Sequence, residues 1–212
     1  MALSQTGAGD AGLCDRAAIA AAAATDVPAK VLLAISRVET GRSSDGQFSP
    51  WPWTVNLEGE GAYFPTKAAA ADFVRNAVAA GSRNMDIGCF QVNLRWHGSA
   101  FASPQDMLDP DRNALYAARF LSGLHAEHGT WAGAIGAYHS ATPALADRYL
   151  AKVAVILNAP SVAPTPEPPT DGAQTGPAPR DNRFPLLRGG TGRRLGSLVA
   201  TDSTAAVLPL FR

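Results

Sequence analysis

Apolar residues recur at helical spacing through most of the first 157 positions. An alanine run at 17–24, following Cys14, Asp15 and Arg16, reads as a first helix. Pro28 opens a second, in which Val31, Leu32, Ile35 and Val38 form one stripe and Gly41 stands just past the end. Between 54 and 64 the rhythm shortens. Thr-Val-Asn-Leu-Glu-Gly-Glu-Gly-Ala-Tyr-Phe predicts a short hairpin or extended excursion turning at 58–61. Thr66 caps a helix running to about position 80, apolar at Ala70, Phe73, Val74, Ala77 and Val78 and closed by Gly81. Further helices are expected over about 111–128, 131–139 and 143–157. The expected class is α+β, mainly α, with one small β element.

The text changes at Pro160. Prolines at 160, 164, 166, 168 and 169 deny both helix and ladder hydrogen bonds, which predicts an extended linker over 158–182. Residues 183–212 form a basic segment ending in Ala-Ala-Val-Leu-Pro-Leu-Phe-Arg, read either as a disordered tail or as a docking peptide. The ordered domain is therefore expected over 12–157. Across the chain, 18 Lys+Arg balance 18 Asp+Glu. That balance argues against a generally basic nucleic-acid binder, which leans on phosphate neutralisation. No apolar run approaches the roughly 18 residues of a membrane span. The first basic residue is Arg16, so the N-terminus lacks the basic-then-apolar order of a secretory signal. Either export follows another route or the natural start lies upstream of Met1.

Glu39 is the most informative residue. It follows Ile35 by four positions and Leu32 by seven, which places it at the margin of the apolar stripe. It also falls in the last turn of its helix, where the macrodipole disfavours negative charge. Both effects raise a carboxyl pKa, as a general acid requires. The bland alternative is an ion pair with Arg37 or Arg42. Two further strings carry polar groups among apolar ones: Asp86-Ile-Gly-Cys-Phe-Gln91-Val-Asn93 and Gly136-Ala-Tyr138-His139-Ser. A Gln in such company either finds hydrogen-bond partners or lines a cleft. Asp86 reads as a helix cap before it reads as a catalytic group.

In this order and spacing, these blocks resemble the soluble lytic transglycosylase domain, a goose-type lysozyme-like fold that cleaves bacterial peptidoglycan. The matching text is Val-Pro-Ala-Lys-Val-Leu-Leu-Ala-Ile-Ser-Arg-Val-Glu39-Thr-Gly, Asp86-Ile-Gly-Cys-Phe-Gln91-Val-Asn93, Met-Leu-Asp109-Pro-Asp-Arg-Asn113 and Ala-Tyr138-His139-Ser-Ala. The resemblance runs from about 14 to 157. It implies a single catalytic acid, Glu39, that protonates the bond between MurNAc and GlcNAc. Glu39 then acts as base while the MurNAc 6-hydroxyl attacks C1, leaving a 1,6-anhydro end. It implies substrate contacts at Gln91, Asn93, Tyr138 and His139, with Tyr138 equally explicable by core packing. It also implies a periplasmic monomer that needs no metal or cofactor. The blocks around the insertion look like the specialised type that serves flagella or secretion systems, to which the basic tail could dock.

Several positions depart from the family text. His139 stands where relatives carry Asn, and Asn84 stands where they often carry a Ser that holds the catalytic Glu. Residues 45–84 form an insertion with Trp51, Trp53, Tyr63 and Phe64, expected either to build a glycan-stacking lobe or to be structural. Specialised relatives often bridge an early Cys, which implies a Cys14–Cys89 disulfide; the alternative is two buried thiols. His125 and His128, three apart, read as a solvated helix end and not as zinc ligands. A hydrolytic muramidase and an inactive wall-binding adaptor are the competing functions.

Overall fold

The computed structural model describes residue 10 and residues 12–44 and 46–159. The tail expectation, and the linker expectation beyond residue 159, lie outside the described residues; Asn158, expected to open the linker, is instead the last residue of a helix. Within the described residues the chain is mainly helical with a small β element. Helix α1 spans Leu13–Ala23 and α2 Ala29–Thr40. Pro28 stands at the N-cap of α2, where its missing N–H is no loss, and Val31, Leu32 and Ile35 are fully buried. Four short strands follow: β1 Gly41–Ser44, β2 Gln47–Pro50, β3 Thr54–Leu57 and β4 Glu60–Tyr63. Helix α3, Lys67–Ala79, starts where the Thr66 side chain accepts from the Ala69 N–H.

Strands β5, Met85–Ile87, and β6, Val92–Asn93, complete an antiparallel sheet in the order β4-β3-β5-β6, while β1 and β2 form a separate hairpin. The one-turn helix α4 is Leu94–His97. Then come α5 Pro110–His128, α6 Trp131–His139 and α7 Pro143–Asn158. Helix α1 packs against α5 and α2, α2 against α7, and α6 between α5 and α7. Gly136 lets α6 approach α7 closely, since a Cβ there would lie 3.2 Å from that of Ala146.

Periodicity located the long helices and the β3–β4 hairpin. It did not locate β1 and β2, whose residues are half-buried or exposed along most of their length, or the very short β5 and β6. Asp86 is a correction. It lies on β5 opposite Asn93 and caps no helix, and the cap of α4 is Asn93 itself.

A disulfide joins Cys14 on α1 to Cys89, with Cα atoms 5.6 Å apart. It ties the helical layer to the turn after β5 across 75 positions of sequence. No helix among the described residues is long and apolar enough to cross a membrane.

Candidate active site

The C-terminal end of α2 delivers Glu39 to the floor of a cleft of about 710 Å³. The cleft runs between the sheet and helices α4, α5 and α6. Glu39 is only 7% exposed, and the Tyr149 hydroxyl on α7 donates to its Oε1 at 2.5 Å. Burial raises its pKa from 4.5 to about 8. The Tyr149 hydrogen bond opposes that rise, the nearby negative charge of Asp86 adds to it, and Lys152 weakly offsets it. A carboxyl group in this state is protonated at neutral pH and can give a proton away.

The alternative role for Glu39 does not survive. Arg37 makes a two-pronged pair with Asp15, at 2.9 and 2.8 Å. Arg42 lies over the Trp51 ring, 3.6 Å from its centroid. Neither arginine pairs with Glu39.

The turn between β5 and β6 builds the adjoining wall. Gly88 sits at φ +80°, and a Cβ there would press on the Met107 carbonyl and the Asn113 amide. Gln91 is also left-handed, at φ 45°. Its Nε2 donates to the carbonyls of Gly88 and Thr54, at 3.0 and 3.3 Å, and the residue lines the cleft. Buried Asn113 holds the turn from below. Its Nδ2 donates to the carbonyls of Ile87 and Met107, and its Oδ1 accepts from the Phe90 N–H. Tyr138 closes the same turn from α6, donating to the Phe90 carbonyl at 2.8 Å.

Asn93 Nδ2 donates to Asp86 Oδ1 at 2.7 Å and to Asn84 Oδ1 at 3.2 Å, and all three residues face the cleft. Burial raises the Asp86 pKa while the Asn93 bond lowers it. Asn84 therefore meets Asn93, and the group that holds Glu39 is Tyr149. His139 lines the cleft with its ring stacked on Tyr149, 4.6 Å between centroids and 4° from parallel. Burial and Lys152 push its pKa below 6.5, so it is neutral at pH 7.

The structure thus brings Glu39, Asn84, Gln91, Asn93, Tyr138 and His139 to one cleft. It does not bring Trp53 or Tyr63. Trp53 is 5% exposed, with its indole N–H donating to Asp10. Tyr63 lies beside Arg42 and donates to the Gly41 carbonyl at 3.4 Å. Trp51 and Trp53 serve packing, whereas Tyr63 is exposed away from the cleft; the insertion's contribution to the cleft is the β3–β4 tip, Asn56, Glu58 and Gly59, together with Asn84.

Three participants escaped sequence reasoning. Tyr149 carried a usable signal, since a tyrosine on the apolar face of α7, four before Val153, needs a partner for its hydroxyl. Trp96, 70% exposed at the cleft rim, was signalled only by being a large aromatic beside polar neighbours. His97 faces the cleft too, with its Nδ1 2.7 Å from the Tyr116 hydroxyl.

No protein-family model, no curated protein and no solved structure matches this chain.

Proposed function

We propose that this protein is a peptidoglycan lytic transglycosylase with a goose-type lysozyme-like catalytic domain, acting in the periplasm. The observation that carries the reading is Glu39: a buried carboxyl group, protonated at neutral pH, on the floor of a cleft large enough for sugar rings. The Tyr149 donation to Oε1 leaves Oε2 to carry the acid's proton.

In the proposed reaction Glu39 gives that proton to the glycosidic oxygen, and the bond from this oxygen to MurNAc C1 breaks. The resulting Glu39 carboxylate, steadied by Tyr149, removes the proton of the MurNAc 6-hydroxyl as O6 bonds to C1. The products are a GlcNAc 4-hydroxyl end and a 1,6-anhydroMurNAc end, and Glu39 returns protonated. A group titrating near 8 suits both halves, being neither too weak an acid nor too weak a base. Trp96 offers an exposed indole face to a sugar ring, while Gln91, Asn93 and His139 offer polar contacts. The buried disulfide fits an oxidising compartment.

One observation favours a hydrolytic muramidase as the second reading. The sequence offered no clear second carboxylate, yet Asp86 stands in the cleft and its charge is felt by Glu39. A second carboxylate is what a two-carboxylate glycosidase uses to hold or activate the reacting carbon. Mass spectrometry of muropeptides released from purified sacculi separates the readings. Anhydro-MurNAc ends are expected. Reducing MurNAc ends would transfer the assignment to the muramidase, and no turnover by folded protein would leave a wall-binding adaptor.

A further inference from the structure

Tyr149 is 1% exposed, and the ring that lies flat upon it, that of His139, lines the cleft. The two ring centroids are 4.6 Å apart and their planes 4° from parallel. The helices are set up for this pairing. Gly136 on α6 meets Ala146 on α7, where a Cβ on the glycine would come within 3.2 Å of that of Ala146. His139 and Tyr149 stand three positions further along those same two helices. The imidazole is therefore a layer between the cleft and the phenol whose hydroxyl donates to Glu39 at 2.5 Å. The charged and titratable groups that act on this cluster are Tyr149 and Lys152 from α7, Glu39 from α2, Asp86 from β5 and Tyr138 from α6.

We propose that His139 is a positioning residue for Glu39: its ring is a cover that keeps cleft water off the Tyr149–Glu39 hydrogen bond. The inference rests on the reading of Glu39 as the catalytic acid. A hydrogen bond in dry surroundings is stronger than one that water can share. Desolvation is also the largest influence on Glu39, so an opening that wets the pair favours its carboxylate form. Imidazole suits the place. Its flat face covers a phenol, and its ring nitrogens tolerate the polar cleft on the other side. The ring is neutral where Glu39 titrates, since burial and Lys152 hold its own pKa below 6.5. His139 therefore adds no charge change of its own near pH 8, where the Glu39 proton is lost.

Two single variants of the full chain separate a cover from a sugar contact. His139→Asn keeps polar groups and loses the ring, whereas His139→Phe keeps a ring and loses the polar groups. On purified sacculi, the alkaline limb of kcat/KM is expected about one pH unit lower in His139→Asn than in wild type. At pH 9 this variant then stands about tenfold further below wild type than it does at pH 6. His139→Phe should keep the limb at its wild-type position, whatever its kcat. A limb that stays in place in His139→Asn, with only KM raised, marks a sugar contact and overturns the proposal. A limb moved to higher pH in His139→Asn also overturns it, because the ring would then orient Tyr149 and not exclude water. A second arm needs no turnover. In protein labelled with ¹³C at the glutamate carboxyl groups, the Glu39 signal is the one missing from Glu39→Gln, and its titration gives the midpoint directly. A midpoint lowered in His139→Asn and restored in His139→Phe is expected. Equal midpoints in all three proteins overturn the proposal. If wild type cleaves no glycan, the peptidoglycan-cleaving reading falls, and the carboxyl titration alone decides the cover.

Discussion

At the scale of single residues, one carboxyl group governs the proposed chemistry. Glu39 is protonated in the folded protein up to about pH 8. The proposed acid step therefore fails as pH rises through that value, and kcat/KM on sacculi should fall about tenfold per unit beyond it. Tyr149→Phe removes a donor that favours the carboxylate. The alkaline limb should then move to higher pH, while the maximal rate drops about tenfold as the carboxyl loses its orientation. A limb that stays in place would show that Tyr149 does not act on Glu39.

The same burial has a consequence for stability. The unfolded chain ionises Glu39 near 4.5 and the folded protein only near 8, so folding takes up a proton in between. This group's contribution to stability is present below about 4.5 and lost as pH rises through about 8, at about 1.4 kcal/mol per unit of displacement. Glu39→Gln, which cannot ionise, should gain thermal stability relative to the parent as pH rises from 5 to 8.5, by roughly 2–5 kcal/mol. Parallel melting curves across that range would contradict the raised pKa.

At the scale of elements, the β5–β6 turn shapes the site, and Asn113 is its keystone. The buried amide of Asn113 makes two hydrogen bonds to the turn that carries Gly88, Cys89, Phe90 and Gln91 and a third that ties it to the Met107 carbonyl. Asn113→Ala strands two carbonyls and one N–H inside the protein and should lower stability by about 2–4 kcal/mol. Chemical denaturation measures this, and a loss below about 0.5 kcal/mol would mean that the turn is held by other means. Much of this element was legible in sequence. Gly88 and Gln91 stood out against apolar neighbours, and the 109–113 block that supplies Asn113 was recognisable. What Asn113 holds was not legible, because its two partners in the turn are backbone groups 23 and 26 positions away. Trp53 failed for a related reason, whereas Tyr63 is exposed but stands away from the cleft. An aromatic side chain suits a core as well as a sugar face, and only the third dimension sends the insertion's tryptophans inward. The helices, by contrast, record their burial in local spacing, as the run from Val31 to Glu39 does.

At the scale of the whole molecule, zero net charge is a cancellation. Residues 1–155 hold 12 basic and 14 acidic groups, and residues 156–212 hold 6 and 4. The disulfide binds the helical domain together over 75 positions, a loop whose closure is worth about 4 kcal/mol in the chain-entropy account. Replacing Cys14 and Cys89 by Ala should lower stability by about 2–5 kcal/mol. The C-terminal end of α2 should loosen along with the β5–β6 turn, since the Thr40 hydroxyl donates to the Cys89 carbonyl. Hydrogen exchange would register both effects, and unchanged protection around 87–91 would contradict the coupling.

The proposal that Glu39 is the acid that breaks a glycan bond is checked by digesting purified sacculi with wild-type protein and with Glu39→Gln, after circular dichroism confirms that both are folded. Soluble fragments are expected from the wild type, with release at least about a thousandfold slower from the variant. Release by the variant at anything near the wild-type rate would contradict it.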